Sequence, residues 1–103
     1  MWLEPKEISK WAYWYCMVED KPEIRELITT SRWVYYYCQN IKDDPEKRKL
    51  ITDSQWAYWY CKIIKDRPVV RKNITNSFWA YYYCKNIKER SEVRKYIKGR
   101  ECG

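Results

Sequence analysis

The chain has 103 residues, of which 46% are apolar and 18% aromatic, with two glycines and four prolines. This length allows one domain, predicted over 1–103, and the composition excludes collagen-like and low-complexity classes. The net charge of +7 favours association with anionic partners but says nothing about the fold. No apolar run approaches the roughly 20 residues of a membrane-spanning helix, so we expect no membrane role.

The numbers of cysteines and histidines bear on the cellular compartment in which the protein works. Five cysteines without histidine would suit a disulfide-rich secreted protein, but the first residues, Met1 to Glu7, are mixed polar and do not have the pattern of a signal peptide. We therefore expect a cytoplasmic protein with reduced thiols.

A block of about 23 residues occurs four times. Its tryptophans are spaced by 22, 23 and 23 residues, and the residue that the first copy lacks falls between Cys16 and Pro22. The first and third copies share a tryptophan, Trp14 and Trp59, where the other two carry tyrosine, which indicates duplication of a two-copy unit. A tail at 100–103 follows the copies, which cover residues 9–30, 31–53, 54–76 and 77–99.

Each copy predicts a long helix followed by a short one. The aromatic run favours a strand by composition, but in the second copy its inward residues have the i, i+3, i+4, i+7 spacing of a helix over about 33–42. Those residues are Val34, Tyr37, Cys38 and Ile41. Pro45 suits the first position of a short helix near 45–51.

The starts of the long helices carry two adjacent candidates for the N-cap. A threonine, aspartate or asparagine stands before a serine in three copies, as in Thr30-Ser31, and the sequence leaves open which of the two caps. Helices this short are marginal alone. Packing between copies must hold them, so we predict an all-α solenoid of four short helix-turn-helix repeats.

The third copy carries the segment AYWYCKIIKDRP from Ala57 to Pro68. This segment resembles tandem short helical repeats of the A-Y-x-Y-A-x-x-V-I-K-G-R-x-P-E kind, found in uncharacterised phage and mobile-element proteins. The resemblance covers about residues 9–99, with cysteine in place of the usual alanine and Asp66 in place of glycine. It implies a phage-like origin, the host cytoplasm as location and a binding role, and it supplies no catalytic residues.

One cysteine recurs in each copy: Cys16, Cys38, Cys61 and Cys84. Equivalent positions of packed helices are about 10 Å apart, too far for a shared metal ion or a disulfide. We therefore expect buried apolar thiols and no metal or other cofactor. Cys102 in the tail is expected to be an exposed thiol.

A second aromatic stripe comprises Trp11, Trp33, Trp56 and Trp79, with Trp14, Tyr36, Trp59 and Tyr82 three residues on. We expect it to pack against the short helices, because a stacked hairpin buries two faces; the alternative is a row of stacking platforms for partner side chains or bases. Four tyrosines lie nearly opposite the inward stripe and are candidates for exposed partner contacts: Tyr13, Tyr35, Tyr58 and Tyr81.

Basic residues also recur once per copy. The arginines of the short helices are expected to be structural first, paired with an acid or capping carbonyls; the alternative is a cationic ridge for phosphates. Net charge runs from −2 over 1–30 to +4 over 77–103. The candidate partner-binding residues of this group are Arg48, Arg71, Arg94, Lys49, Lys72 and Lys95.

No catalytic residue is predicted, because the sequence has no histidine, Gly-rich phosphate loop or Gly-x-Ser-x-Gly motif. The preferred hypothesis is a non-enzymatic protein that binds a protein partner, for instance a host defence component, through the repeated Tyr, Arg and Lys residues. One alternative is a basic nucleic-acid-binding module. Another is a structural scaffold that forms homo-oligomers through the ends of the array.

Overall fold

The computed structural model describes residues 3–98, which are helical and contain no strand. This confirms the predicted all-α class and rules out strands in the aromatic runs. The helices are α1 Pro5–Val18, α2 Pro22–Arg25, α3 Ser31–Asn40, α4 Pro45–Arg48, α5 Ser54–Trp59 with a π-helical continuation Tyr60–Ile64, α6 Pro68–Arg71, α7 Ser77–Asn86 and α8 Ser91–Arg94.

Each sequence block folds into one long and one short helix. The short helices are single turns, shorter than the predicted 45–51, because tighter hydrogen bonds follow them: in α4 the Leu50 N–H donates to the Lys47 carbonyl at 2.9 Å and the Ile51 N–H to the Arg48 carbonyl at 3.2 Å. Such i to i−3 bonds close a 3₁₀-type turn and end the α-helix.

In the third and fourth copies the side chain that caps the long helix belongs to the residue before the serine. Thr30 holds the same position at the start of α3 without a side-chain cap hydrogen bond, and α1 begins earlier, with Glu4 at its N-cap. Asp53 Oδ1 accepts a hydrogen bond from the Gln55 N–H at 2.9 Å, and Asn76 Oδ1 accepts one from the Phe78 N–H at the same distance. These bonds satisfy N–H groups that the first helical turn leaves without partners. The serine has a different task.

In the first and third copies the serine fastens the long helix to the segment that leads to the next long helix. Ser54 Oγ accepts hydrogen bonds from the N–H groups of Thr75 (3.1 Å) and Asn76 (3.2 Å) and donates one to the Asn73 carbonyl at 3.0 Å. Ser9 is bonded in the same way to the equivalent segment and is fully buried. One hydroxyl thus sets the spacing between consecutive long helices.

We predict that Ser54→Ala lowers the free energy of unfolding by about 1–3 kcal/mol, because backbone groups lose their partner. Urea unfolding followed by circular dichroism measures the change. Ser91→Ala is the matched control, since Ser91 is exposed at the start of α8, and should stay within about 0.5 kcal/mol of wild type. Equal effects of the two substitutions would contradict the fastening role.

The residue missing from the first copy corresponds to a difference in how the long helices end. In the second copy the Lys42 N–H donates to the Tyr37 carbonyl, five residues back, at 3.0 Å. The first copy instead ends with an ordinary bond four residues back, from the Glu19 N–H to the Tyr15 carbonyl at 2.9 Å. The extra residue is therefore absorbed as a π-type turn, which recurs at Lys65 and Lys88.

The described residues form two compact units, one up to Ile51 and the other from Thr52. In the first, α1 packs against α2 and α3, and α3 packs against α4; in the second, α5 packs against α6 and α7, and α7 packs against α8. The boundary falls two residues before the one between the second and third copies at 53/54. The single domain over 1–103 stays a prediction.

The core is built from the same positions in each copy. The predicted inward residues Val34, Tyr37 and Cys38 are buried, which confirms the helical period, while Ile41 is half-buried because it lies at the C-cap of α3. The apolar side chains with the least exposure in the described residues are small or aliphatic apart from three tyrosines: Ala12, Ile28, Val34, Tyr37, Ile51, Ala57, Tyr60, Val70, Ile74, Ala80, Tyr83 and Val93.

Candidate interaction surfaces

The prediction that four tyrosines face the solvent is wrong for three of them. Tyr13, Tyr35 and Tyr58 are buried, with 3–5% of their surface exposed, and only Tyr81 is half-buried. The buried part of each long helix is wider than the single inward stripe on which the prediction depends. Each long helix packs against both a short helix and another long helix, so a second stripe beside the first is covered.

The cover on Tyr13 and Tyr58 comes from the next long helix. The ring of Tyr13 lies 5.4 Å from that of Trp33, and its hydroxyl accepts a hydrogen bond from Asn40 Nδ2 at 2.9 Å. In the second unit Tyr58 has the same arrangement with Trp79 at 5.2 Å and Asn86 at 3.1 Å. These tyrosines join helices within each unit, and their burial excludes them from direct contact with a partner on this folded structure.

The tryptophan stripe is the more exposed of the two. Trp11 and Trp14 are 53% and 54% exposed, and Trp33 and Trp79 are half-buried against tyrosines of the preceding long helix. The expected packing of this stripe against the short helices is therefore wrong for Trp11 and Trp14. Long helices lie side by side in each unit, and this places the stripe along their outer side.

In the second unit the outer rings form a connected cluster. Phe78 is 54% exposed and lies 4.8 Å from the ring of Tyr82; Trp79 lies 6.4 Å from both Trp59 and Tyr82. Such spacings are those of interacting rings, which hold one another in place. We call Trp59, Phe78, Trp79 and Tyr82 the outer aromatic surface.

Cations border this surface. Lys62 Nζ lies 5.6 Å from the ring centroid of Trp59, and Lys85 Nζ lies 5.8 Å from that of Tyr81, next to Tyr82 in the chain. Both lysines are exposed. Their placement over ring faces is favourable and gives the aromatic cluster a positive rim.

The arginine positions are paired, as expected for structural residues. Arg48 Nε donates to Asp43 Oδ1 at 3.0 Å, and Arg71 Nε donates to Asp66 Oδ1 at 2.9 Å. Arg71 is buried and Arg48 half-buried, so neither guanidinium is displayed to a partner as predicted. Arg94 is different: it is exposed and forms a surface pair with Glu89 at 2.8 Å.

The acids in these pairs also recur once per copy, and they are not among the predicted site residues. They are 23 residues apart, and each stands five residues before the arginine of its copy. This regular spacing could have identified them from the sequence. The set is Asp20, Asp43, Asp66 and Glu89.

Asp66 gathers more donors than a simple pair. Besides Arg71, it accepts hydrogen bonds from the Tyr83 hydroxyl at 2.6 Å and from Arg90 Nε at 3.3 Å. Burial alone would raise the pKa of Asp66, but the hydrogen bonds from Arg71 and Tyr83 and the nearby positive charges outweigh it and hold the pKa below its usual range. Burial and the same carboxylate raise the pKa of Tyr83.

Of the predicted basic residues, the lysines remain accessible. Lys49, Lys72 and Lys95 are exposed, and Lys49 makes only a surface pair with Glu46 at 3.3 Å. Exposed lysines are concentrated in the second unit: Lys62, Lys65, Lys72, Lys85, Lys88, Lys95 and Lys98.

Lys47 is a buried cation in the first unit. It occupies the repeat position of Val70 and Val93, and its Nζ donates to the Ile28 carbonyl at 2.8 Å. Burial lowers its pKa. A depression of about 460 Å³ beside it is lined by acidic as well as basic side chains, among them Glu26 and Asp44. This mixed lining marks no particular ligand.

The repeated cysteines are buried in three copies and half-buried at Cys84. Burial is the main cause that raises the pKa of Cys38 and of Cys61 to about 12. No group of three potential metal ligands comes together within residues 3–98. Cys102 lies outside the described residues.

We predict that Cys38 and Cys61 are protected from a thiol reagent in the native protein, because buried thiols with raised pKa form little thiolate. Mass spectrometry after timed alkylation at neutral pH, in a Cys102→Ser background, reads each site. Cys84 should be modified earlier than Cys61. Rapid modification of all four in folded protein would contradict the burial of this stripe.

The fold and these surfaces define an all-α protein of paired long and short helices. None of the helices within 3–98 has both the length and the apolar character needed to cross a membrane. Comparison of the chain with protein-family models, curated protein sequences and solved structures gives no match. The resemblance to phage-type helical repeats therefore stays a prediction.

Proposed function

We propose that the protein is a non-enzymatic interaction protein that binds a protein partner through the outer aromatic surface. The observation that carries this proposal is a preformed cluster of four aromatic rings, one of them, Phe78, more than half exposed. Aromatic side chains dominate binding hot spots. Rings already held by their neighbours lose little conformational freedom on binding, so more of the contact energy is retained.

The rim of the surface indicates the chemistry of the partner. Lys62 and Lys85 are exposed beside the rings, and residues 54–76 and 77–103 each carry a net charge of +4. A partner with an apolar side chain to place on the rings and acidic residues around it complements both features.

Two predictions from the sequence complete this proposal. The repeat predicts that the four copies form one solenoid, and solenoids offer extended binding faces. The resemblance to phage-type repeats predicts action in the host cytoplasm, with a host defence component as one partner of the right kind.

The test is affinity capture from nuclease-treated host lysate, followed by measurement with the purified partner. Phe78→Ser should weaken binding about thirtyfold, the equivalent of about 2 kcal/mol at a hot spot. Val18→Ser is the control, since Val18 is exposed in the first unit and the substitution should leave affinity unchanged. No stoichiometric protein partner, or equal affinity of the two variants, would overturn the proposal.

A second candidate function is binding of nucleic acid, favoured by the exposed lysines of the second unit, of which Lys62 and Lys85 lie over aromatic rings. Affinity for a short duplex should then fall steeply with salt, and each substitution, Lys72→Gln or Lys95→Gln, should reduce the slope by about 0.9. Lys49→Gln in the first unit is the matched control. Absence of binding at low salt would exclude this function.

A further inference from the structure

Among the contacts that join the two copies of the second unit, three define two complementary faces. The ring of Tyr58 packs on that of Trp79 at 5.2 Å. Asp66 Oδ2 accepts a hydrogen bond from the Tyr83 hydroxyl at 2.6 Å, and Arg71 Nη1 donates to Glu92 Oε2 at 3.2 Å. In each contact one residue belongs to the third copy and the other to the fourth. The first unit repeats the ring and carboxylate contacts, as Tyr13 with Trp33 and Asp20 with Tyr37.

The first and fourth copies carry similar residue types at the equivalent positions. In the fourth copy, the residues 23 positions after Tyr58, Asp66 and Arg71 are Tyr81, Glu89 and Arg94. We call these three residues the trailing face. In the first copy, the residues at the repeat positions of Trp79, Tyr83 and Glu92 are Trp11, Tyr15 and Glu23. We call these three residues the leading face.

Within residues 3–98, both faces are less buried than the equivalent positions between copies. Trp11 is 53% exposed and Glu23 is exposed; Tyr15 is half-buried, although its equivalents Tyr37 and Tyr83 are fully buried. Beside Trp11 an apolar depression of about 330 Å³ is lined by Leu3 and Ile8 as well.

The trailing face shows the same deficit. Tyr81 is half-buried where its equivalents are buried, and Glu89 and Arg94 are exposed.

The leading face also has a hydroxyl without its usual acceptor. Within residues 3–98, the Tyr15 hydroxyl has no carboxylate partner of the kind that Tyr83 has in Asp66.

We propose that the leading face of one chain binds the trailing face of a second copy, head to tail. Trp11 then packs on Tyr81, the Tyr15 hydroxyl donates to Glu89, and Arg94 pairs with Glu23, as their equivalents do inside the second unit. Charge complementarity selects a second copy as the occupant, since residues 1–30 carry −2 and residues 77–103 carry +4. A contact between two different faces is heterologous, so assembly continues beyond the dimer unless a ring closes.

The decisive experiment uses two variants that each block one face, Trp11→Glu and Tyr81→Glu, studied by sedimentation velocity. Wild-type protein forms dimers and larger species whose average mass rises with concentration. Each variant alone is monomeric, because every contact needs one leading and one trailing face. Their equimolar mixture forms a 1:1 heterodimer and nothing larger, because one intact face of each kind remains.

Two further variants test the ionic contact without altering apolar surface. Glu23→Arg and Arg94→Glu each reduce assembly, and the double variant restores it because the pair is reversed. Phe78→Ser, as exposed as Trp11 but on the outer aromatic surface, leaves assembly unchanged; this separates self-association from partner binding. A wild-type monomer at all concentrations, or a mixture of face variants without heterodimer, would overturn the proposal.

Discussion

Asp66→Ala should lower the free energy of unfolding by about 3–5 kcal/mol, among the largest effects of any single substitution in this protein. The substitution leaves the buried Arg71 guanidinium without its principal acceptor and removes the acceptor of the Tyr83 hydroxyl. Loss of one partner from a buried ion pair is costly because the other charge stays desolvated. Urea unfolding, followed by both circular dichroism and tryptophan fluorescence, measures the change.

Glu89→Ala is the matched control, since Glu89 occupies the same repeat position. Its pair with Arg94 lies at the surface, with about half of each side chain exposed, and surface pairs contribute about 0–1 kcal/mol. It is measured at a concentration at which the protein is monomeric, because Glu89 also belongs to the trailing face. Similar losses for both substitutions would show that burial of the carboxylate does not set its contribution.

Asp66 also predicts the pH dependence of stability. Its pKa is lower in the folded protein than in the unfolded chain, so the unfolded chain binds more protons in acid. The stabilisation is therefore complete above the unfolded value and is lost as the pH falls through the folded one. Asp20, bonded to Arg25 and Tyr37, follows the same direction. Asp66→Ala should flatten the acid limb of the stability curve, and an unchanged limb would contradict this origin.

Ile74→Ala should lower the free energy of unfolding by about 2–5 kcal/mol, because Ile74 is fully buried and its truncation leaves a cavity. Ile63→Ala is the control with the same chemistry, since 48% of Ile63 is exposed; it should stay within about 0.5 kcal/mol of wild type. The slope of unfolding against urea should stay constant in both.

The Ile74 variant also tests the proposed four-copy solenoid. In a continuous array the stability of one copy is coupled to that of its neighbours, so probes in both units should report one shared transition that moves to lower urea. If the units are independent, the first unit should unfold at the wild-type midpoint while the second unfolds early.

The sequence alone determined the helical class, the positions of the helix pairs and the inward stripe through Val34, Tyr37 and Cys38. The reason is that the period of 3.6 residues and the 23-residue repeat are local properties, legible without any contact. The same holds for the short-helix starts at proline, since the lost N–H has no partner in a first turn.

Only the tertiary structure decided which aromatic stripe is buried and which charged side chains are exposed. Tyr58 was expected outside and lies inside because Trp79 and Asn86, 21 and 28 residues away, cover it. Arg71 and Arg94 occupy one repeat position and each pairs with the acid five residues earlier, yet one is buried and the other exposed, because Arg71 also contacts Glu92 of the following copy. Burial depends on neighbours brought together by packing, and a pattern along a single helix cannot specify them.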